Sequence, residues 1–371
     1  MSEAEFADRL VQGKVRGRGA GLNPGNRFET IRLHVLGEHL EEVLSENPDG
    51  TQVRTQVYTD TSRTIINPVD SPDIGFKWTI NPYRGCEHGC IYCYARPGHE
   101  MLGMSSGLDF ETKIVAKRDG PELLREALMK PFWKGENIVM SGVTDPYQPV
   151  EAKLRITRRI IEVCCEFNQP LSFITKNHLI TRDIDLFKRL AEHGAVSAAI
   201  SITTLDPRTT RIMEPRASTP RDRLATVREL SAAGIPVHVM VAPIVPGITD
   251  HETPAILEAA AKAGASGAGY VLLRLPHQNK ELFLNWLREH FPDRAAKVEN
   301  KIREMRGGKL YNAAWFERGK GTGIMADQLG INFKMFLRRY GLDKPAPRRS
   351  GSAFRRPART GEGNQPFLFA V

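Results

Sequence analysis

The 371-residue sequence predicts an α/β fold in which a parallel sheet is covered by helices. Two observations carry this prediction. From Trp78 onward, short apolar runs of strand length alternate with amphipathic stretches of helical period, and after Leu275 the alternation gives way to a helical pattern alone. The first strand is expected at Lys77–Ile80, followed after a loop by a helix over Pro121–Met129 with Leu123, Leu124, Ala127 and Leu128 on one side. Strand two is Asn137–Met140, and a helix over Leu154–Phe167 follows it. Strand three is Leu171–Ile174, and the next helix, Arg182–His193, carries Ile184, Phe187 and Ala191 on one face. Strand four is Val196–Ser201, then a helix over Arg221–Ala233 that stops at Gly234, a common helix terminator. Strand five is Val237–Ala242, a helix covers Thr253–Ala263, and strand six is Tyr270–Leu273. A closed barrel needs about eight βα units. Six leave the sheet open on one side.

The flanks read differently. Residues 1–70 form an N-terminal extension, partly irregular, 71–275 the core, 276–343 a helical extension, and 344–371 a basic tail. Within the extension, a short helix is expected at 34–45, and Thr51–Tyr58 alternates polar and apolar residues as a half-buried strand does. The Gly17, Gly19, Gly21 series lacks the preceding strand and the spacing of a phosphate loop, so it reads as a flexible arm. In the helical extension, Leu282, Phe283, Trp286 and Leu287 mark one helix. The tail, Pro345 to Arg359 above all, combines Pro, Gly and Ser with arginine and is expected to be disordered.

The formal net charge is +9, concentrated in Lys14–Arg18 and in the tail. Such segments bind phosphate chains by counterion release, which admits nucleic acid as a partner. They serve equally well as solvated charge that keeps a protein dispersed. No run approaches the roughly 18–20 apolar residues that span a bilayer, so no membrane partner is expected. The opening residues include acids and no apolar segment, unlike a signal peptide. With five cysteines in the chain, a reducing, cytoplasmic location is expected.

Three of those cysteines, Cys86, Cys90 and Cys93, stand within eight residues. Three thiolates so close can hold three irons of a [4Fe–4S] cluster and leave the fourth iron open to a small molecule. Zinc is the competing reading. It wants four ligands, which His88, His99 or a distant residue would have to complete, and no second Cys-x2-Cys knuckle exists. His88 itself reads as a solvent-facing loop residue, with a hydrogen bond to a sulfur as the other option. Cys164 and Cys165 lie in the helix that carries Ile156, Ile160, Ile161 and Val163, where a free cysteine acts as a small apolar residue.

The run Asn81-Pro-Tyr-Arg-Gly-Cys-Glu-His-Gly-Cys-Ile-Tyr-Cys-Tyr-Ala-Arg96 resembles the radical S-adenosylmethionine (radical SAM) enzymes, in particular the branch related to spore photoproduct lyase, with the resemblance extending from about Arg16 to about Leu342. The resemblance implies a partial (β/α)6 TIM-type barrel, a [4Fe–4S] cluster on Cys86, Cys90 and Cys93, and S-adenosylmethionine on the open iron. It also implies reductive cleavage of that cofactor, a 5′-deoxyadenosyl radical that abstracts hydrogen from a substrate the sequence does not identify, and an electron donor such as flavodoxin or ferredoxin. Parallel barrels gather their chemistry at the C-terminal strand ends, and distinctive polar residues fall there. By the resemblance, Gly142, Thr144 and Asp145 meet the cofactor amine, Ser201 and Thr203 the ribose or carboxylate, and Tyr92 the adenine. Lys176 or Arg216 would neutralise the carboxylate. Each has a plainer reading as a turn former, an ion-pair partner or an ordinary buried hydroxyl. No catalytic side chain is assigned. The resemblance also places a hydrogen-donating cysteine at the end of strand two. Val139–Asp145 contains none, and Val143 stands at that position, so photoproduct reversal does not carry over directly. A DNA-lesion lyase and a non-catalytic iron–sulfur protein that binds nucleic acid through its basic termini are the alternatives.

Overall fold

The structure, a computed structural model, describes residues 18–28, 53–344, 349 and 351–357. The helix expected at 34–45, the charges of Lys14 and Arg16 and most of the tail lie outside the described residues.

Among the described residues ten strands form two sheets: β1 (Gln56–Thr59), β2 (Ile66–Pro68), β3 (Trp78–Ile80), β4 (Tyr83–Arg84), β5 (Lys113–Ala116), β6 (Ile138–Met140), β7 (Leu171–Thr175), β8 (Val196–Ser201), β9 (Val237–Ile244) and β10 (Gly267–Leu272). The larger sheet has the order β10-β9-β8-β7-β6-β3-β2. The six expected strands are its parallel members, and only β2 runs antiparallel, against β3. Its two edges, β10 and β2, do not pair, so the sheet is a half-barrel with an open side. Between the strands lie α1 (Gly120–Met129), α2 (Ile156–Phe167), α3 (Ile184–Ala191), α4 (Pro207–Met213), α5 (Pro220–Ala232) and α6 (Thr253–Lys262), followed by α7 (Asn279–His290), α8 (Ala295–Glu304) and α9 (Ile324–Arg339). Two of the helix starts are set by side-chain caps. Asp206 caps α4 by accepting from Arg208 N and Thr209 N, and Thr219 caps α5 by accepting from Asp222 N, each with proline in the first turn.

The main core lies between the parallel strands and α1, α2, α3, α5 and α6, and it includes Cys164 and Cys165 as buried apolar residues. A second core has a direct bearing on the site. Leu282, Phe283, Trp286 and Leu287 of α7 pack with Val298 and Ile302 of α8 against Cys90, Ile91 and Tyr92. The apolar face of α7 therefore covers the three-cysteine loop.

Three expectations are corrected. Thr51 and Gln52 of the strand expected at Thr51–Tyr58 lie outside the described residues, residues 53–55 are not strand, and the strand observed, Gln56–Thr59, has all four residues exposed. It is the edge of the three-stranded sheet β1-β5-β4 and reaches no core, which defeats the alternation argument. The arm around Gly19 is irregular but held in place, as described below. Part of the basic tail is also docked. Arg355 N donates to Phe167 O (2.9 Å), Asn168 Nδ2 donates to Ala353 O (3.1 Å), and the Phe354 ring stacks on Phe167. Arg356 donates to Leu128 O and Lys130 O, and Arg349 to Ser197 Oγ. These contacts lie at the N-terminal ends of the strands, opposite the cysteine loop.

Candidate functional site

The cysteine loop leaves the C-terminal end of β3 through the short strand β4. It turns at Gly85 (φ 76°) and Gly89 (φ 66°), left-handed conformations that favour glycine. Its backbone is tied down by other parts of the chain. Cys86 N donates to Phe110 O (2.8 Å), Ile91 N to Met213 O (3.1 Å), and Asn279 Nδ2 to Cys93 O (2.7 Å). Gln148 brackets Cys86, donating to Gly85 O (3.1 Å) while accepting from Glu87 N (2.9 Å). Arg96, fully buried, donates to the carbonyls of Cys90, Gly89, Ser106 and Gly107 and pairs with Glu111. Glu111 in turn accepts from the backbone N–H groups of Arg18, Gly19 and Ala20. A strap of residues 18–22 is thereby laid across the loop. It passes so close that a Cβ on Gly19 would land on the Gly89 carbonyl.

All three sulfurs are free of disulfides. Burial pushes each thiol up, Cys90 to about 12, with Asp145 adding to the effect at Cys86 and Glu214 at Cys90. Among the described residues no three His, Cys, Asp or Glu side chains converge as the ligands of one metal ion do. Sulfurs that each hold a separate iron of a cluster stand farther apart than ligands of a single ion, and the donor set here is three soft sulfurs on one pinned loop. That set fits a [4Fe–4S] cluster with one iron left free.

The remaining residues singled out in the sequence fall into three groups. Tyr92 donates to Glu214 Oε1, as does Thr203 Oγ1 (2.7 Å), and Glu214 pairs with the buried Arg223. Burial alone would raise the Glu214 carboxyl, but Arg223 and Lys176 bring it down to about 2, so it is ionised at neutral pH. Lys176 Nζ stands 5.8 Å over the Tyr92 ring, and its charge acts on Cys90, Cys93 and Glu214. Ser201 lies buried at the end of β8, its carbonyl accepting from Arg223 Nη1 (3.1 Å).

The second group surrounds Asp145. Its carboxylate accepts from Thr175 Oγ1 (2.7 Å), Tyr147 N (2.9 Å) and Lys176 N (2.9 Å), and lies 3.4 Å from His88 Nδ1. Burial raises this carboxyl, and the facing His88 and the donated hydrogen bonds more than reverse that. His88 is thus buried between Asp145 and Asn177, not solvent-facing. Gly142 accepts from Tyr94 Oη through its carbonyl (2.7 Å), and a Cβ there would meet Thr79 Oγ1. Thr144 Oγ1 donates to Tyr83 O (2.7 Å), so the hydroxyl fastens a turn. Val143, beside it, is 46% exposed.

Arg216 stands apart from both groups. Its Nη1 donates to Glu87 Oε1 (3.0 Å), on which Arg18 also converges, and its N–H donates to His88 O. The structure thus brings Tyr92, Lys176 and Thr203 together, and places Arg216 against the strap. The sequence placed Glu214 after strand four and Arg96 at the end of the cysteine motif without giving either a role, and it did not single out Arg223 or Glu111. Arg223 in the first turn of a helix and Arg96 just past the cysteines carry no local signal of the carboxylates they meet. Only burial, which makes each guanidinium need a carboxylate, sets them apart.

The family model for the Radical SAM superfamily matches residues 80–260. An uncharacterised protein of Mycobacterium tuberculosis is 37% identical over 244 residues, covering 65% of this chain and 72% of that protein. A radical SAM Nα-GlyT isomerase of Pseudomonas phage M6 is 29% identical over 172 residues, covering 46% of this chain and 34% of that one. Among solved structures, spore photoproduct lyase complexed with dinucleoside spore photoproduct superposes with a TM-score of 0.56 at 17% identity, covering 76% of this chain and 79% of that chain. The fold is therefore that of a radical SAM partial barrel. The chain belongs to the Radical SAM superfamily and is an enzyme of that class.

Proposed function

We propose that Cys86, Cys90 and Cys93 hold a [4Fe–4S] cluster whose fourth iron takes S-adenosylmethionine, and that the enzyme abstracts a hydrogen atom from a further substrate. The bound pair supplies one-electron reductive cleavage of the sulfonium and a 5′-deoxyadenosyl radical as the abstracting species. The observation that carries this is a loop of three free cysteines whose backbone is pinned by Arg96, Gln148 and Asn279, with no disulfide among the sulfurs.

The chain's own residues have distinct tasks. Lys176 is the cation placed to neutralise the cofactor carboxylate, because it shares the pocket of Cys90 and Tyr92, whereas Arg216 is held by Glu87. The Gly142 carbonyl, which has a second lone pair beyond its bond from Tyr94, offers an acceptor to the amine, and the anionic Asp145 adds negative charge at that strand end. Thr203 and Glu214 keep the Tyr92 ring in one orientation, where it can border the adenine. Ser201, at the same strand end, is the hydroxyl for the ribose. Thr144 acts through the turn it fastens. A flavodoxin or ferredoxin supplies the electron. No helix of the described residues is long and apolar enough to cross a membrane. Simple photoproduct reversal is not proposed, since Val143 offers no S–H.

Anaerobic reconstitution tests the reading. The protein is expected to bind about four irons per chain, as a [4Fe–4S] cluster requires, and under reduction to form methionine and 5′-deoxyadenosine. Cys86→Ala, Cys90→Ala and Cys93→Ala each lose both properties; normal cleavage by any of the three refutes the ligand set. Lys176→Met is expected to raise the KM for S-adenosylmethionine about 10- to 100-fold, the scale of a hydrogen bond between charged groups. An unchanged KM removes Lys176 from the cofactor site.

A further inference from the structure

The open side of the half-barrel is bridged by the α8–α9 connection. Leu272 N, at the end of β10, donates to Gly319 O (2.8 Å). The buried Arg306 donates to the carbonyls of Leu272, Leu273, Glu317 and Arg318, which fixes the loop on β10. At the opposite edge, Arg318 pairs with Asp73 in the β2–β3 turn, and Phe316 N donates to the same carboxylate (3.3 Å). The bridge carries two large exposed aromatics, Trp315 (48%) and Phe316 (63%), with the Arg318 guanidinium 4.2 Å over the Trp315 ring. Phe316 has φ 65°, a left-handed conformation that is unfavourable for a bulky residue. In sequence the segment interleaves cations with rings: Arg306, Lys309, Tyr311, Trp315, Phe316, Arg318, Lys320.

Just beyond the end of β10 stands Arg274. Its guanidinium lies 5.0 Å over the ring of Tyr94, the residue after Cys93, whose hydroxyl holds Gly142. Arg274 makes no ion pair among the described residues, and its buried Nε finds no hydrogen-bond partner there. Its cationic neighbours include Arg306, and the charges of both Arg274 and Arg318 act on the Tyr94 hydroxyl. An uncompensated guanidinium at the rim of a site wants an anion, and exposed rings set among cations offer stacking to planar bases.

We propose that this bridge is the substrate-recognition rim and that it takes a phosphate-bearing planar ring, a nucleotide within a single strand of nucleic acid, stacked on Trp315 and Phe316 with its phosphate on Arg274. The proposal names the substrate class of the radical site and rests on the reading given above. It differs from attraction to the basic termini, because it depends on ring stacking at one place.

The test is fluorescence anisotropy of a labelled single-stranded thymidine homopolymer with the anaerobically purified, cluster-loaded protein. Wild type is expected to bind, and Trp315→Ala, Phe316→Gly and Arg274→Gln each to bind about tenfold more weakly or worse, the scale of one lost base stack or phosphate contact. Phe316→Gly places glycine where φ is already positive, so this variant keeps the fold. Displacement by thymidine monophosphate assigns recognition to the single nucleotide, and failure of that competitor assigns it to the strand; both support the rim. Wild type that does not bind overturns the proposal. So does equal binding by all three variants, or equal displacement by poly-glutamate of matched charge, which marks simple charge attraction. Formation of 5′-deoxyadenosine by wild type is measured separately. Cleavage without oligonucleotide binding sinks only the substrate class; absence of cleavage sinks the radical reading whatever the oligonucleotide does.

Discussion

At the scale of single residues, the site depends on buried charges that only their partners make tolerable. Arg96 and Glu111 are both fully buried, and together they hold the cysteine loop and the strap. Removing one partner strands the other, which typically costs about 3–5 kcal/mol. Arg96→Ala is therefore expected to lower stability in urea denaturation by that order. A change below about 1 kcal/mol, the scale of an exposed pair, would show that the pair does not carry the loop. His99 has a different role. It packs edge-on against Phe110, and burial depresses its pKa to about 4 from a usual 6.5. Between those values the unfolded chain binds a proton that the folded chain refuses, so stability is full above about pH 6.5 and falls as the pH drops toward 4. His99→Phe is expected to flatten that part of the stability–pH curve. An unaltered slope would mean that His99 does not titrate as described.

At the scale of elements, the strap and the docked tail were the least legible parts of the sequence. The glycines of the strap suggest freedom when read alone. In the structure they permit contact, since Gly19 runs against the Gly89 carbonyl and the Glu111 carboxylate collects three consecutive N–H groups. Gly19→Ala is expected to displace the strap and shorten the lifetime of bound iron in air, measured by loss of visible absorbance. Wild-type lifetime would show that the strap does not shield the loop. The tail misled for a related reason. Proline, glycine and arginine predict disorder by composition, yet one phenylalanine with a matching ring on Phe167 and a few donated backbone bonds suffice to anchor 351–357. The parallel strands and their helices were legible because burial on both faces of the sheet leaves unbroken apolar runs.

At the scale of the whole molecule, chain order builds a half-barrel whose first strand delivers the cysteines, whose later strand ends deliver Asp145, Lys176 and Thr203, and whose C-terminal helices cover the loop. The grouping of the three cysteines on one loop was legible from their spacing, and the place of Lys176 at a strand end from the strand pattern. The tie of Glu214 to Tyr92 and the bridge at Trp315 were not, because they come from contacts between segments far apart in sequence. The central claim is that one iron of the cluster lacks a protein ligand. Electron paramagnetic resonance of the dithionite-reduced protein, recorded before and after S-adenosylmethionine is added, tests it most directly. A reduced [4Fe–4S] signal whose g-values shift when the cofactor binds is expected. Zinc in place of iron, or a cluster signal that the cofactor leaves unchanged, would contradict it.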